Sequence, residues 1–317
     1  MQAVILAAGK GSRLHPITTS RSKAMLPVLG KPMVARVIET IAGSGIRDFI
    51  LVVSPEDRDI THYFTRESRL EVDIQFAYQP KRLGMADALK QALPLIYDDF
   101  VLSACDNLVS ARDMEQMISA WRGSSQWGAL LSLVEVPADL TSRSGIVTLE
   151  GDRVTSIIEK PEPGMAPSNL ASMPLYCFSK QILAFLPKVK LSPRGEYELQ
   201  DAIQMMIEGD ANVYGIRMQS RLTLTTAADL LTINRHFLES GYGHPQIAPR
   251  SVGPGTRLVT PLYIEMGTII GSNCTIGPNV YIEQNVKIGD GVILRDAVVL
   301  RDTTVPDGQE LVDQVVA

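Results

Sequence analysis

Apolar residues gather into four short runs in the first third of the chain, at 1–8 (MQAVILAA), 48–53 (DFILVV), 72–77 (VDIQFA) and 100–105 (FVLSAC). Runs this short, with little polar interruption, read as strands buried in a parallel sheet. Between them, residues 33–42 place Val34, Val37, Ile38 and Ile41 at helical spacing, opened by Pro32 and closed by Gly43 and Gly45. Residues 59–64 and 83–95 read as further helices. Strand alternating with helix predicts a doubly wound α/β sheet. Ligands of such sheets sit outside the carboxyl ends of the strands. Residues 9–13, Gln79 and Asp106 all stand at predicted carboxyl ends.

Further along, the pattern predicts a helix over 113–121, a strand over 127–136 and a hairpin with arms 143–149 and 154–158. A strand within 169–178, a segment from 194 leading into a helix, a strand over 212–217 and a helix over 227–237 follow. Turn formers at 239–245 mark a boundary. Beyond it the period changes to six: Val252, Leu258, Ile264, Ile270, Ile276, Ile282, Ile288, Leu294 and Leu300 are all aliphatic, and Gly follows at 253, 271, 277 and 289. This is the hexapeptide repeat of a parallel β-helix, and at three hexads per turn it predicts three coils. The chain therefore divides into domains at 1–240 and 250–317.

The first run leads directly into Gly9-Lys10-Gly11-Ser12-Arg13, and Lys23 follows ten residues on. Gly9 and Gly11 can adopt positive φ and turn backbone N–H groups inward as an anion-binding nest. Lys10, Arg13 and Lys23 place three cations around it, as a triphosphate requires. The spacing is neither GxGxxG, since Leu14 occupies the third glycine position, nor GxxxxGK[ST].

The longer string LAAGKGSRLHPIT, followed by RSKAMLPVLGKPM, resembles the signature of the sugar-nucleotide pyrophosphorylases, which join a nucleoside triphosphate to a sugar 1-phosphate. The resemblance extends over almost the whole chain and includes the subgroup with a hexapeptide-repeat tail. It implies a Rossmann-like mixed sheet followed by a short left-handed β-helix. It places Leu6, Ala8 and Gly9 beside the base and ribose, and Lys10, Gly11, Ser12 and Arg13 on the triphosphate. Arg13 and Lys23 would stabilise charge as pyrophosphate leaves. Gln79 would read a pyrimidine edge and Gly84 would let the base lie on the backbone. Asp106 would hold Mg2+, the implied cofactor. Gly145, Glu159, Lys160 and Asn169 would bind the sugar phosphate. The reaction implied is in-line attack of the sugar phosphate on the α-phosphorus of UTP or dTTP, with glucose 1-phosphate or N-acetylglucosamine 1-phosphate as acceptor.

Five positions depart from the family pattern: Ser22 for a proline, Met85 for a small hydroxyl residue, Pro174 for a glycine, Thr223 for a second metal-binding aspartate, and Thr225 for a glycine. Met85, Pro174 and Thr223 motivate the alternative of a catalytically weak regulatory subunit that binds nucleotide sugar. Acetyl transfer by the tail needs a histidine among its coils, and the four histidines, at 15, 62, 236 and 244, all lie before the repeat.

Composition narrows the partners. A net charge of −5 and the absence of a Lys/Arg block exclude a nucleic-acid groove. The 317 residues contain no apolar run of transmembrane length and three scattered cysteines, so a cytoplasmic protein is expected. An open coil end and flat prism faces lead us to expect a homo-oligomer.

Overall fold

The computed structural model describes residues 1–317 except 125, 220 and 242–247, so part of the 239–245 boundary lies outside the described residues. The chain forms two compact units. The first comprises residues 1–10 and 37–221, and the second comprises residues 11–36 and 222–317.

The first unit is built on a nine-stranded mixed sheet. Its order is Asp73–Tyr78, Asp48–Val53, Gln2–Leu6, Phe100–Ala104, Leu170–Phe178, Ala129–Glu135, Val213–Arg217, Arg153–Glu159 and Gly145–Glu150. The first four strands are parallel, and Leu170–Phe178 runs antiparallel to both of its long neighbours. Gln2–Leu6, Asp48–Val53 and Phe100–Ala104 are almost wholly buried, as their uninterrupted apolar runs require. Asp73–Tyr78 is an edge strand with alternating exposure, which explains its more polar sequence. Val4, Ile50, Leu102, Leu131, Tyr176 and Phe178 join the apolar sides of Met85–Ala92 and Leu199–Glu208 in one core.

Successive strands after Gln2–Leu6 are added on opposite sides of it: Asp48–Val53 pairs one edge and Phe100–Ala104 the other. This reversal is a topological switch point, where the loops leaving two adjacent strands diverge and open a crevice. Ala7 and Cys105 leave the sheet there, with the Cys105 N–H donating to the Leu6 carbonyl at 3.1 Å.

In the second unit, the tail strands pair in parallel with strands 18 residues on: Ser251 with Ile269, Arg257 with Thr275 and Leu262 with Val280. Three aliphatic columns result, running Val252–Ile270–Ile288–Val305, Leu258–Ile276–Leu294–Leu311 and Ile264–Ile282–Val299–Val316. The offset shortens to 17 residues after Leu294, so Val299 rather than Leu300 stacks on Ile282. The count by sixes thus slips by one residue at its ninth position. Asp296, in left-handed conformation at φ 49°, makes the tighter corner.

Ala227–Glu239 starts with a capping box. The Thr226 hydroxyl accepts the Asp229 N–H, and Asp229 Oδ2 accepts the N–H groups of Thr225 and Thr226 at 2.8 and 2.7 Å. The last turns of this helix carry Arg235, whose Nη2 lies 3.0 Å from both Asp296 and Asp313 of the tail.

Candidate active site

Strand ends position one set of site residues within the first unit. Leu6 is the buried last residue of its strand, and Ala8 follows it. The Ala8 carbonyl accepts the Arg82 Nε–H at 2.7 Å, while the rest of that guanidinium bonds Glu56 and Asp57. Arg82 therefore pins the start of the glycine loop, a role its sequence context does not reveal. Gly9 and Lys10 are exposed. Gln79 follows the edge strand and is 3% exposed. Its amide donates to the Gly84 carbonyl at 3.2 Å and to Asp87 Oδ2 at 2.8 Å.

Gly84 adopts φ 98°, and a Cβ there would lie 2.7 Å from the Tyr197 carbonyl oxygen. That close approach lets Tyr197 donate its N–H to the Leu83 carbonyl and accept from Ala86. The glycine is thus fixed by packing of this unit's own backbone.

Asp106 is half-buried just past Phe100–Ala104, at the switch point. Asn107 beside it is 4% exposed, and neither end of its amide has a hydrogen-bond partner. Buried amides are rarely left in that state unless a ligand or water completes them. No cluster of three or more His, Cys, Asp or Glu side chains suited to a metal occurs among the described residues. Mg2+ is commonly held by one or two carboxylates, with substrate phosphates and waters completing its shell. One carboxylate beside an unsatisfied amide oxygen fits that donor set.

A second polar cluster forms where three strands meet. Gly145 pairs with Glu159 on one side and Ser172 on the other. A Cβ on Gly145 would lie 2.9 Å from Glu159 Oε2, 3.0 Å from Gln200 Cγ and 3.0 Å from Ser172 Oγ. Glu159 is buried, with Oε1 3.1 Å from the Lys160 ammonium and Oε2 without a partner. Gln200 Oε1 is likewise buried and unpartnered, and Ser172 bonds the buried Tyr176 hydroxyl at 3.0 Å. Burial raises the Glu159 carboxyl above the usual carboxylate range, and Lys160 opposes that rise. Arg194 pairs with the buried Glu198 at 2.9 Å at the rim. Lys160 itself sits at φ 46°, a left-handed conformation costly for a side-chain-bearing residue and usually retained where a site demands it.

Pairing places this cluster on the same sheet edge as Asp106. Leu175 opposes Ser103 and Phe178 opposes Phe100, so Ser172 extends towards the carboxyl end of Phe100–Ala104. Pro174 lies in the irregular stretch between Ser172 and Tyr176, where the ladder to Ala129–Glu135 shifts register and its missing N–H breaks no regular pairing. Asn169, just before Leu170–Phe178, is exposed, and its carbonyl accepts the Val136 N–H. Gly145, Glu159 and Lys160, expected from the sequence to lie together, do so; Ser172, Gln200 and Arg194 beside them, and Asn107 next to Asp106, carry no signal in the sequence.

Gly11, Ser12, Arg13 and Lys23 belong to the second unit. Gly11 is left-handed at φ 64° and caps the single turn Ser12–Leu14, an alternation that converges successive N–H groups. Gly9 does not take positive φ. A Cβ on Gly11 would lie 2.8 Å from Lys23 Cβ, so the lysine stem packs against the loop. Ser12 and Arg13 are exposed, and Lys23 is half-buried. Thr223, where the family pattern has an aspartate, is half-buried in the short strand Leu222–Thr223.

Comparison with known proteins identifies the family. Residues 2–239 match the model of the nucleotidyl transferase family, and residues 258–317 match that of the GMPPB C-terminal domain. A UTP--glucose-1-phosphate uridylyltransferase, AglF, of Haloferax volcanii is 35% identical over 219 residues, covering 69% of this chain and 88% of that protein. A glucose-1-phosphate thymidylyltransferase of Streptomyces antibioticus is 31% identical, covering 75% of this chain and 67% of its own length. The bifunctional protein GlmU of Methanococcus maripaludis is 33% identical, but the match spans only 54% of that longer protein. Among solved structures, a UDP-glucose pyrophosphorylase from Acinetobacter baumannii superposes with a TM-score of 0.66 at 27% identity, over 77% of this chain and 94% of that one. The chain belongs to the nucleotidyl transferase family.

Proposed function

We propose that this chain transfers a nucleotidyl group from UTP or dTTP to glucose 1-phosphate or N-acetylglucosamine 1-phosphate, releasing pyrophosphate. The observation that carries the reading is the pair of buried, unpartnered acceptors, Glu159 Oε2 and Gln200 Oε1, on side chains that close around Gly145. Buried acceptors left open cost stability unless a ligand supplies donors, and a sugar ring offers several hydroxyls. Their position on the sheet edge that carries Asp106 supports placing the sugar side there.

A sugar-phosphate oxygen attacks the α-phosphorus, a new P–O bond forms, and the bond to the β-phosphate bridging oxygen breaks. The attacking group is already an anion, so no general base is needed. Lys160 holds the sugar phosphate, while Lys10, Gly11, Ser12 and Arg13 hold the triphosphate. Arg13 and Lys23 neutralise charge on the departing pyrophosphate, so catalysis is mostly positioning and electrostatics. Leu6, Ala8, Gly9, Gln79 and Gly84 face the nucleoside. Asp106, with the Asn107 amide, would hold Mg2+, which would supply further neutralisation of phosphate charge.

The repeat tail is proposed to be a left-handed parallel β-helix over 250–317, following a catalytic domain over 1–240. Its last strand, Glu310–Val316, pairs with Ile293–Val299, and flat prism faces favour a homo-oligomer. The three cysteines are buried thiols, and no helix among the described residues is long and apolar enough to cross a membrane. Both fit a cytoplasmic protein.

Pyrophosphate release, measured with Mg2+, UTP or dTTP and each sugar 1-phosphate in turn, tests the reading. Turnover with at least one pair is expected. Nucleotide-sugar binding without turnover would favour the regulatory alternative that Thr223 motivates.

Two further outcomes follow from the sugar side. Gly145→Ala forces a methyl group against Glu159, Gln200 and Ser172, displaces those side chains, and is expected to raise KM for the sugar 1-phosphate about 10- to 100-fold while leaving KM for the nucleotide within a few-fold. The second concerns pH. Ionised Glu159 accepts sugar hydroxyls, and acid removes that acceptor. Because burial raises its pKa, kcat/KM for the sugar 1-phosphate should decline on acidification while the pH is still above the ordinary carboxylate range. Glu159→Gln should abolish that acid limb.

A further inference from the structure

Residues 21–30 are tied to the repeat tail and to the helix Ala227–Glu239 by buried and half-buried polar contacts. The Arg21 guanidinium makes a two-pronged pair with Glu283 at 2.7 and 2.9 Å, and both side chains are almost fully buried. Glu283 is held in turn: Oε2 accepts the Arg301 N–H at 2.8 Å, and its own N–H donates to the Val299 carbonyl at 2.9 Å. Farther along, the Gly30 N–H donates to the Tyr281 hydroxyl at 3.3 Å, and that hydroxyl donates to Glu265. The Leu29 N–H donates to Asn234 Oδ1 at 3.0 Å, and Asn234 Nδ2 donates to the Pro27 carbonyl at 3.2 Å. Lys23 lies between these two anchor points, with its stem against Gly11.

We infer that the tail is a positioning element for the nucleotide loop, and that Glu283, through Arg21, sets the placement of Lys23. A buried bidentate pair fixes orientation as well as charge, because the guanidinium fork accepts a carboxylate in few geometries. Sequence neighbours of such a pair inherit its precision, and a cation that must meet charge developing on pyrophosphate gains rate from being held in place beforehand. A role in stability alone would leave turnover independent of Glu283, whereas a positioning role acts on turnover through Lys23.

The inference rests on the nucleotidyl-transfer reading and is tested by a double-mutant cycle on the full chain. Glu283→Gln is expected to lower kcat about tenfold well below its melting temperature, with KM for the sugar 1-phosphate unchanged. In a Lys23→Ala background the same change should have little further effect. Equal losses in both backgrounds, or unchanged kcat, would overturn the inference. If Glu283→Gln does not fold, Tyr281→Phe, which removes the hydroxyl shared by Gly30 and Glu265, should reduce kcat severalfold with the same dependence on Lys23, and the same outcomes decide. If the unsubstituted chain yields no pyrophosphate with any pair, the function reading fails. The inference is then decided by titration with UTP or dTTP alone, whose affinity Glu283→Gln should lower about tenfold and whose equality in the two chains would overturn it.

Discussion

Lys23→Ala is expected to lower kcat by about 100- to 1,000-fold, the usual cost of removing one preorganised group that meets charge developing in a transition state. The reaction gathers negative charge on the bond to the departing pyrophosphate, and Lys23 is a half-buried cation packed against the Gly11 loop. Its stem already lies in place, so little ordering remains to be done when the substrate arrives. KM for the sugar 1-phosphate should stay within a few-fold, because we place the sugar on Glu159, Lys160 and Gln200 instead. Lys23→Arg should recover only part of the loss, since a fork-shaped guanidinium does not occupy the point position of an ammonium. Steady-state kinetics with each substrate varied in turn distinguish these outcomes. A loss confined to KM for the nucleotide would mean that Lys23 aids ground-state binding alone.

The largest effect on stability is expected at Gly277→Ala. Gly277 adopts φ 106°, and a Cβ there would lie 1.8 Å from the Val259 carbonyl oxygen of the preceding coil. The obstacle is backbone, which is tied by the Val259 N–H donating to Ile276 at 2.8 Å and the Gly277 N–H donating to Leu294 at 2.9 Å. Neither neighbour can yield without parting adjacent coils. Backbone strain and overpacking therefore act together, and a loss of about 3–5 kcal/mol is expected. Thermal unfolding should move down by roughly 10 °C, in a transition that includes the tail. Gly43→Ala is the control: it lies at the end of a helix with nothing within 4 Å of its Cβ position and no positive φ, and should change stability by less than about 1 kcal/mol. Equal melting temperatures for the two variants would contradict the account.

What could be read from the sequence follows from how each signal arises. Asp48–Val53 was legible to the residue, because a strand buried on both faces must be apolar throughout and its flanks are polar. The edge strand was legible only to within one residue, since alternating exposure blurs its ends: 72–77 was predicted, and Asp73–Tyr78 forms. The segment from 194 was expected to lead into a helix, and the helix begins only at Leu199, after the chain has crossed behind Gly84 through Tyr197. In the tail, Val299 and Leu300 are both aliphatic, so the shortened corner at Asp296 left no mark on the count by sixes.

In the candidate site, Glu159-Lys160 was legible through a recognisable string. Gln200 was not: a glutamine near the start of a helix looks like surface, and only the fold brings its oxygen beside Gly145. Arg82 and Asn107 were missed for the same reason, since each takes its meaning from partners, or from a lack of them, that local sequence does not encode.

The Arg21–Glu283 pair also bears on how the chain is made. Its two ends are 262 residues apart in sequence. At ordinary rates of synthesis the first end waits roughly 13 to 50 s on the ribosome for the second. Throughout that interval a buried arginine of the finished protein has no carboxylate to meet. The segment that carries the most recognisable string in the sequence is therefore among the last to reach its final surroundings. A chain cut short before residue 283 would leave the ribosome with that string complete and its anchor absent.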